Sequence, residues 1–362
     1  MKIQTVFFWS EIQRFSHQEL QFFHSLSQTL MPLVLYKSEE VAAVTDSCRQ
    51  GLGLPQSAYQ SCDDETSFIE QCCLSADWVI LFSNRAYTVK ARNFVIMPLP
   101  FWKTVDNMNS ESFTSHAQHK LIYNELSSLY MDSIGNDTEK ETNFLKARFE
   151  EVQAKTVLDC CCGVGRHAYR LGQSGYEVTG IDFSEAQIET AKRIHGNDHV
   201  QYIVADARHF DLEKKDYDSA VCMWTTYNYF SKDGDLRAVV HRLWSHLKQG
   251  GLLILDSKNI PALEKVRCYC RTTKQPELDL TLLIYKRILG DIQNSQYFYF
   301  IDEKGQKHFY LDEEFIRFYY LQELQKLMQD RFELVRAFGD FEGRGYEQEH
   351  SERLITVWRA LR

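Results

Sequence analysis

The stretch that most limits what this chain can become runs from Lys155 to Asp182, KTVLDCCCGVGRHAYRLGQSGYEVTGID. Thr156-Val157-Leu158 is a short apolar, β-branched run of the length of a buried strand. It stops at Asp159 in a turn of small residues, Cys160-Cys161-Cys162-Gly163-Val164-Gly165. A helical pattern follows, with Ala168, Leu171 and Gly172 spaced to share a face, and a second strand, Tyr176 to Ile181, ends on Asp182. Strand, turn, helix and strand in this order require a parallel pair joined by a right-handed crossover.

Chemistry follows from that geometry. Gly163 and Gly165 allow close backbone approach and conformations that a Cβ forbids. The turn lies at the carboxyl end of the first strand, where open α/β sheets form their ligand crevice. Asp182 stands about twenty residues beyond it, where a carboxylate accepts hydrogen bonds from both hydroxyls of a ribose.

The pattern Asp159-x-Cys161-x-Gly163-x-Gly165, continued by Arg166-His167, resembles motif I of the class I S-adenosylmethionine-dependent methyltransferases. Cys161 stands where the commoner form has its first glycine. The resemblance implies a Rossmann-like α/β sheet. It also implies S-adenosyl-L-methionine as cofactor, its methionine part lying along the turn at Asp159, Cys161, Gly163, Gly165 and Arg166, with Asp182 and Phe183 on the ribose side.

Composition bounds the rest. With 362 residues the chain is long enough for two domains, and its apolar and charged fractions are those of an ordinary globular protein. A formal charge of −9 argues against a phosphate-backbone binder, so nucleic acid is not an expected partner. No uninterrupted apolar segment reaches the length of a membrane span, and Ile3 to Trp9 reads as a strand rather than a signal peptide; the expectation is a cytoplasmic protein. Seven of the ten cysteines cluster, as Cys72-Cys73, Cys160-Cys161-Cys162 and Cys268-x-Cys270, rather than as paired CxxC sets, so no metal site is predicted.

Residues 1–105 read as a separate small α/β domain, with strands at Ile3 to Trp9, Leu33 to Tyr36, Trp78 to Phe82 and Asn93 to Met97 and a helix around His17 to Leu30. Gly51-Leu52-Gly53-Leu54-Pro55 follows no predicted strand and is not a phosphate loop. Substrate selection, self-association as a homodimer and a stabilising appendage all remain open for this domain. Polar residues 106–118 form a linker, and 119–362 the methyltransferase-like domain. Near its start, Tyr123 and Tyr130 fall on a segment that resembles the "Y-D-x-x-A-x-x-Y-D" opening of small-molecule methyltransferases, although Met131 replaces an aspartate; ordinary core tyrosines on an amphipathic helix fit equally well.

Beyond Asp182, Ser184 suits a helix N-cap, and Gln201 to Ala205 forms a third strand ending in Asp206-Ala207. This resembles the family motif that reads adenine, whose donor and acceptor edge matches a carboxylate beside a backbone N–H. A fourth strand, Tyr217 to Met223, leads into Trp224-Thr225-Thr226-Tyr227-Asn228-Tyr229-Phe230, similar to the loop that faces the acceptor in amine-methylating relatives. Met223 would then offer backbone to the cofactor, Asn228 would bind substrate, and Tyr229 with Tyr130 would orient the acceptor. Lys248-Gln249-Gly250-Gly251 resembles the "L-K-P-G-G" turn before the fifth strand.

From about 278 to 320 the period becomes two, which predicts an antiparallel β lid with Arg287, Tyr297, Tyr299, Arg317 and Tyr319 lining a polar aromatic pocket; a solvated face is equally consistent with the alternation. Gly339-Asp340-Phe341-Glu342-Gly343, followed by Ser351-x-Arg353, resembles the ending of the amino-sugar N-methyltransferase-like branch and makes Arg353 a candidate substrate ligand, beside Arg317 from the alternating segment. The resemblance implies methyl transfer to a small polar molecule, at nitrogen first. O-methylation of a metabolite or macromolecule, or a cofactor-binding protein without turnover, are the alternatives.

Overall fold

The computed structural model describes residues 137–264, 266–275 and 278–361. Of the first 136 residues it describes five strands and a few positions between them. The linker, Gly51–Pro55, Tyr123 and Tyr130 lie outside the described residues. The chain divides into two compact units, one of residues 1–108, 265–287 and 295–312, the other of 109–264, 288–294 and 313–362.

In the first unit, β1 (Ile3–Phe8), β2 (Pro32–Tyr36), β3 (Tyr59–Ser61), β4 (Trp78–Phe82) and β5 (Phe94–Met97) make one sheet ordered β3-β2-β1-β4-β5. Every neighbouring pair is parallel. This is a doubly wound order with a switch point between β1 and β4. The three-residue β3 carries no run long enough to be seen in the sequence.

The second unit holds a seven-stranded sheet. Its parallel part contains β6 (Thr156–Cys160), β7 (Glu177–Asp182), β8 (Val200–Val204), β9 (Tyr217–Cys222) and β10 (Leu247–Lys258), ordered β10-β9-β6-β7-β8. β16 (Arg353–Ala360) pairs antiparallel with β10, and β15 (Phe332–Phe338) antiparallel with β16. Strands β6, β9 and β10 are buried on both faces, which explains their unbroken apolar runs. One face packs through Leu158, Cys160, Ala220, Cys222 and Leu253 against α4 (Asp233–His246) and α5 (Leu321–Met328). The other packs through Val157, Val221 and Ile254 against α1 (Thr138–Glu150), α2 (Arg166–Gln173) and α3 (Glu185–Ile194).

Caps set the helix starts. Asp137 Oδ1 accepts from Lys140 N at 3.0 Å to begin α1, and Ser184 Oγ from Gln187 N at 3.2 Å to begin α3, as Ser184 predicts.

The antiparallel segment starts earlier than the alternation predicts. It has four strands, β11 (Val266–Gln275), β12 (Leu278–Leu289), β13 (Ile292–Glu303) and β14 (Gln306–Arg317), in sequential order. β13 is buried at every position from Ile292 to Ile301, so no solvated face exists along it.

Candidate active site

The acids of the second sheet gather at the carboxyl ends of its parallel strands. Asp159 pairs across to Gly180 and Val221 in its neighbours and is buried. The turn after it is built in the left-handed region, with φ of +60° at Cys161, +56° at Gly163 and +78° at Gly165. At Gly165 no other residue fits, since a Cβ would sit 2.4 Å from the Tyr202 hydroxyl. That hydroxyl donates to the carbonyl oxygens of Gly165 and His195 at 3.3 and 3.1 Å and fixes the mouth of α2.

Asp182 closes the turn from the next strand. Its Oδ2 accepts from Gly163 N at 2.9 Å and its Oδ1 from Ser184 N at 3.0 Å. Burial, then the neighbouring Cys161 thiol, pushes the Asp182 carboxyl up to about 7. The same causes, in the same order, raise Asp159 to about 7, and Asp159 Oδ2 is buried without a hydrogen-bond partner. Two carboxyls beside a strained turn, one with an unused oxygen, suit a ligand carrying positive charge and hydroxyl donors.

Asp206, two residues beyond β8, is held by Arg208, whose Nε and Nη2 donate to Oδ1 at 3.0 Å and to Oδ2 at 2.6 Å. That hydrogen bonding holds its carboxyl below the usual range. Ala207 is buried, and Phe183 is half exposed beside Asp182.

A buried network missed by sequence reasoning lies beside the turn. Glu141 of α1 accepts at Oε2 from Arg166 at 2.8 Å and from His167 Nε2 at 2.7 Å, and at Oε1 from the Trp224 indole at 2.6 Å. Burial alone would raise Glu141, but the His167 hydrogen bond and the Arg166 charge hold it down at about 2. His167 is pushed below its ordinary value, chiefly by burial and then by Arg166, so it sits neutral. The Arg166 guanidinium also stacks over the Trp224 ring, 4.3 Å from its centre.

Trp224 opens the loop after β9, and both it and Thr225 have left-handed φ, +63° and +66°. Asp256 of β10 holds them there: Oδ2 accepts from Trp224 N at 2.8 Å, and the backbone oxygen from Thr225 N at 2.9 Å. Arg353 binds Asp256 bidentately, Nε to Oδ1 at 2.6 Å and Nη2 to Oδ2 at 2.7 Å.

This corrects the expectation for Arg353, whose guanidinium is committed to a fully buried acid rather than to a substrate. Arg317 is corrected likewise, donating to Asp291, Asp233 and Glu323 at 2.9, 2.6 and 2.8 Å. Asn228 Nδ2 donates to the Arg317 carbonyl oxygen, and its buried Oδ1 has no partner. Tyr229 donates its hydroxyl to Glu314 Oε2 at 2.8 Å. The Met223 carbonyl oxygen accepts from Thr226 Oγ1 at 2.8 Å. Among the described residues, no helix is long and apolar enough to cross a membrane.

With this geometry the comparisons are decisive for the fold. Residues 157–251 match the family model described as "Methyltransferase domain". This segment is a methyltransferase domain. Its relatives include a glycine/sarcosine N-methyltransferase of Parasynechococcus marenigrum, 29% identical over 128 residues, 34% of this chain and 45% of that protein. The chain thus spans about half the length of the curated relatives it matches. The sugar N-methyltransferase KedS8 from Streptoalloteichus sp. shares the fold with a TM-score of 0.58 at 17% identity, over 66% of this chain and 94% of that one. So does CalS10 of Micromonospora echinaspora, an amino pentose methyltransferase solved with S-adenosylmethionine bound, with a TM-score of 0.53 at 18% identity over 67% and 99%.

Proposed function

We propose that the protein is an enzyme that transfers a methyl group from S-adenosylmethionine to a small polar acceptor, at nitrogen. One observation carries the cofactor: the left-handed turn flanked by two buried carboxyls, Asp159 with an oxygen unused and Asp182 at the next strand end. Asp182, with a lone pair left on each oxygen, would accept from the ribose hydroxyls, and Asp159 would offset the cofactor's positive charge. Cys161, Gly163, Gly165 and Phe183 would shape the turn around the cofactor. Met223 would border its amino end, and Asp206 would meet adenine on the lone pairs that Arg208 leaves. Arg166 would act from behind the turn, through Glu141 and Trp224.

When bound, S-adenosylmethionine supplies a methyl group already activated on a sulfonium, so the chain's task is alignment and exclusion of water. Tyr229 supports nitrogen as the acceptor. Its hydroxyl donates to Glu314 Oε2, which fixes the ring in the loop after β9 that resembles the acceptor-facing loop of amine-methylating enzymes. The glycine/sarcosine N-methyltransferase among the relatives supports that choice, and a ubiquinone biosynthesis O-methyltransferase of Hydrogenovibrio crunogenus, 30% identical over 120 residues, keeps oxygen as the alternative. Tyr130 would assist from the segment that also carries Tyr123, within a catalytic domain that would begin near residue 119.

Calorimetric titration with S-adenosylmethionine, with Asp182→Ala alongside, tests the reading. Binding by the wild type that is lost in the variant is expected, followed by release of S-adenosylhomocysteine when amines and amino sugars are supplied. A folded wild type that does not bind overturns it.

A further inference from the structure

The left-handed Trp224 calls for an account beyond packing. A bulky residue at positive φ is an outlier, and two in succession cost energy that persists only where the surroundings over-determine it. Here they do. The Trp224 backbone is held by Asp256, its indole N–H by Glu141, and its ring face by Arg166. Glu141 and Arg166 are not neighbours of the loop in sequence. Arg166 is the first residue of the helix that the cofactor turn opens, and one Glu141 carboxylate spans from it to the indole.

Resting on the cofactor reading above, we propose that Glu141 is a positioning residue coupling the two halves of the site: it ties the first turn of α2 to Trp224, so that occupancy of the turn sets the loop after β9. The parts are suited to this. Glu141 is ionised, and each of its oxygens serves a different half of the site. Arg166 Nη1 is further anchored by Thr138 Oγ1 at 2.9 Å, so the turn of α2 and the start of α1 move as one. A displacement of Arg166 on ligand binding would therefore shift both the carboxylate beneath the indole and the cation on its face. A purely stabilising cluster has no need to join these two elements through one residue.

The test uses the full-length chain with S-adenosylmethionine as the probe. The Trp224 emission, taken as the difference between wild type and Trp224→Phe, is expected to change on titration. Glu141→Gln should bind the cofactor roughly tenfold more weakly, with the Trp224 emission no longer responding. The double variant should bind like Glu141→Gln alone, because both changes break one connection. If Glu141→Gln does not fold, Glu141→Asp takes its place; it keeps the negative charge and draws the carboxylate back by one methylene, breaking the span from Arg166 to the indole. Binding with an unresponsive Trp224, or losses that multiply in the double variant, would overturn the coupling while leaving the proposed function standing. A folded wild type that binds no cofactor would remove both.

Discussion

The chain contains two parallel sheets of the same winding and opposite chemistry. Strands β1 to β5 follow the order β3-β2-β1-β4-β5, and β6 to β10 follow β8-β7-β6-β9-β10, the same arrangement counted from the first strand of each. In the first sheet the strands end on Phe8, Tyr36, Ser61, Phe82 and Met97; none is followed at once by glycine, and within two residues of these ends the sequence offers one acid, Asp63 after β3. In the second, Asp159, Asp182, Asp206 and Asp256 stand at or just beyond the carboxyl ends of β6, β7, β8 and β10. Open parallel sheets bind ligands at the carboxyl ends of their strands, and the four carboxyls that the second sheet brings there are what the cofactor proposal rests on. The lesson is that winding order locates a site without assigning it.

The comparison breaks most sharply at Arg353. Arg353→Met leaves fully buried Asp256 unpaired and should cost roughly 3–5 kcal/mol in urea unfolding. A variant of wild-type stability that fails only in substrate binding would restore Arg353 to the pocket. Next comes the glycine turn after β6. Gly165→Ala adds left-handed strain and a clash with buried Tyr202, an expected loss of roughly 2–3 kcal/mol, read by the same unfolding curves.

The acids sharpen the comparison through pH. Asp159 and Asp182, both raised to about 7, are largely protonated at pH 6, and a cationic cofactor needs them ionised. Affinity should therefore climb between pH 6 and 8, by up to about 1.4 kcal/mol per pH unit for each proton released, with proton release seen in calorimetry in two buffers. Without ligand the sign reverses. Carboxyls raised in the folded state favour folding below about pH 4, and that contribution is lost as pH rises through 7. Glu141 runs the other way, stabilising above its ordinary pKa and ceasing to do so as pH falls through about 2. The smallest effect is Ser184→Ala, about 1 kcal/mol from the lost cap of α3, with cofactor affinity nearly unchanged because Asp182 still receives Ser184 N.

What was legible in the chain was local. Strands β6 and β7, the glycine turn, Asp182 and the Ser184 cap all declare themselves within a few residues, because the turn needs small residues and strand ends show as breaks in apolar runs. The buried ion pairs did not declare themselves. Arg353 finds Asp256 at a sequence separation of 97, and Arg317 finds Asp233 at 84, so each looked like a spare cation near a motif. Glu141 looked like one more polar residue on an amphipathic helix, and Trp224 and Thr225 carry neither the glycine nor the asparagine that usually signals positive φ. The four-stranded antiparallel sheet was seen only from β12 onward. Cys268, Tyr269 and Cys270 of β11 lack the clean alternation that marks its neighbours.

The place of β16 between β10 and β15 sets a timetable for synthesis. When a ribosome has made β10, Asp256 has neither its ion partner nor the strand that covers its open edge; both arrive 97 residues later with Arg353. At about 5–20 residues per second that is an interval of roughly 5–20 s, in which a bare apolar edge and an unpaired acid lie side by side. One late strand thus brings both the ion partner of Asp256 and the edge closure of β10, so the two arrive together.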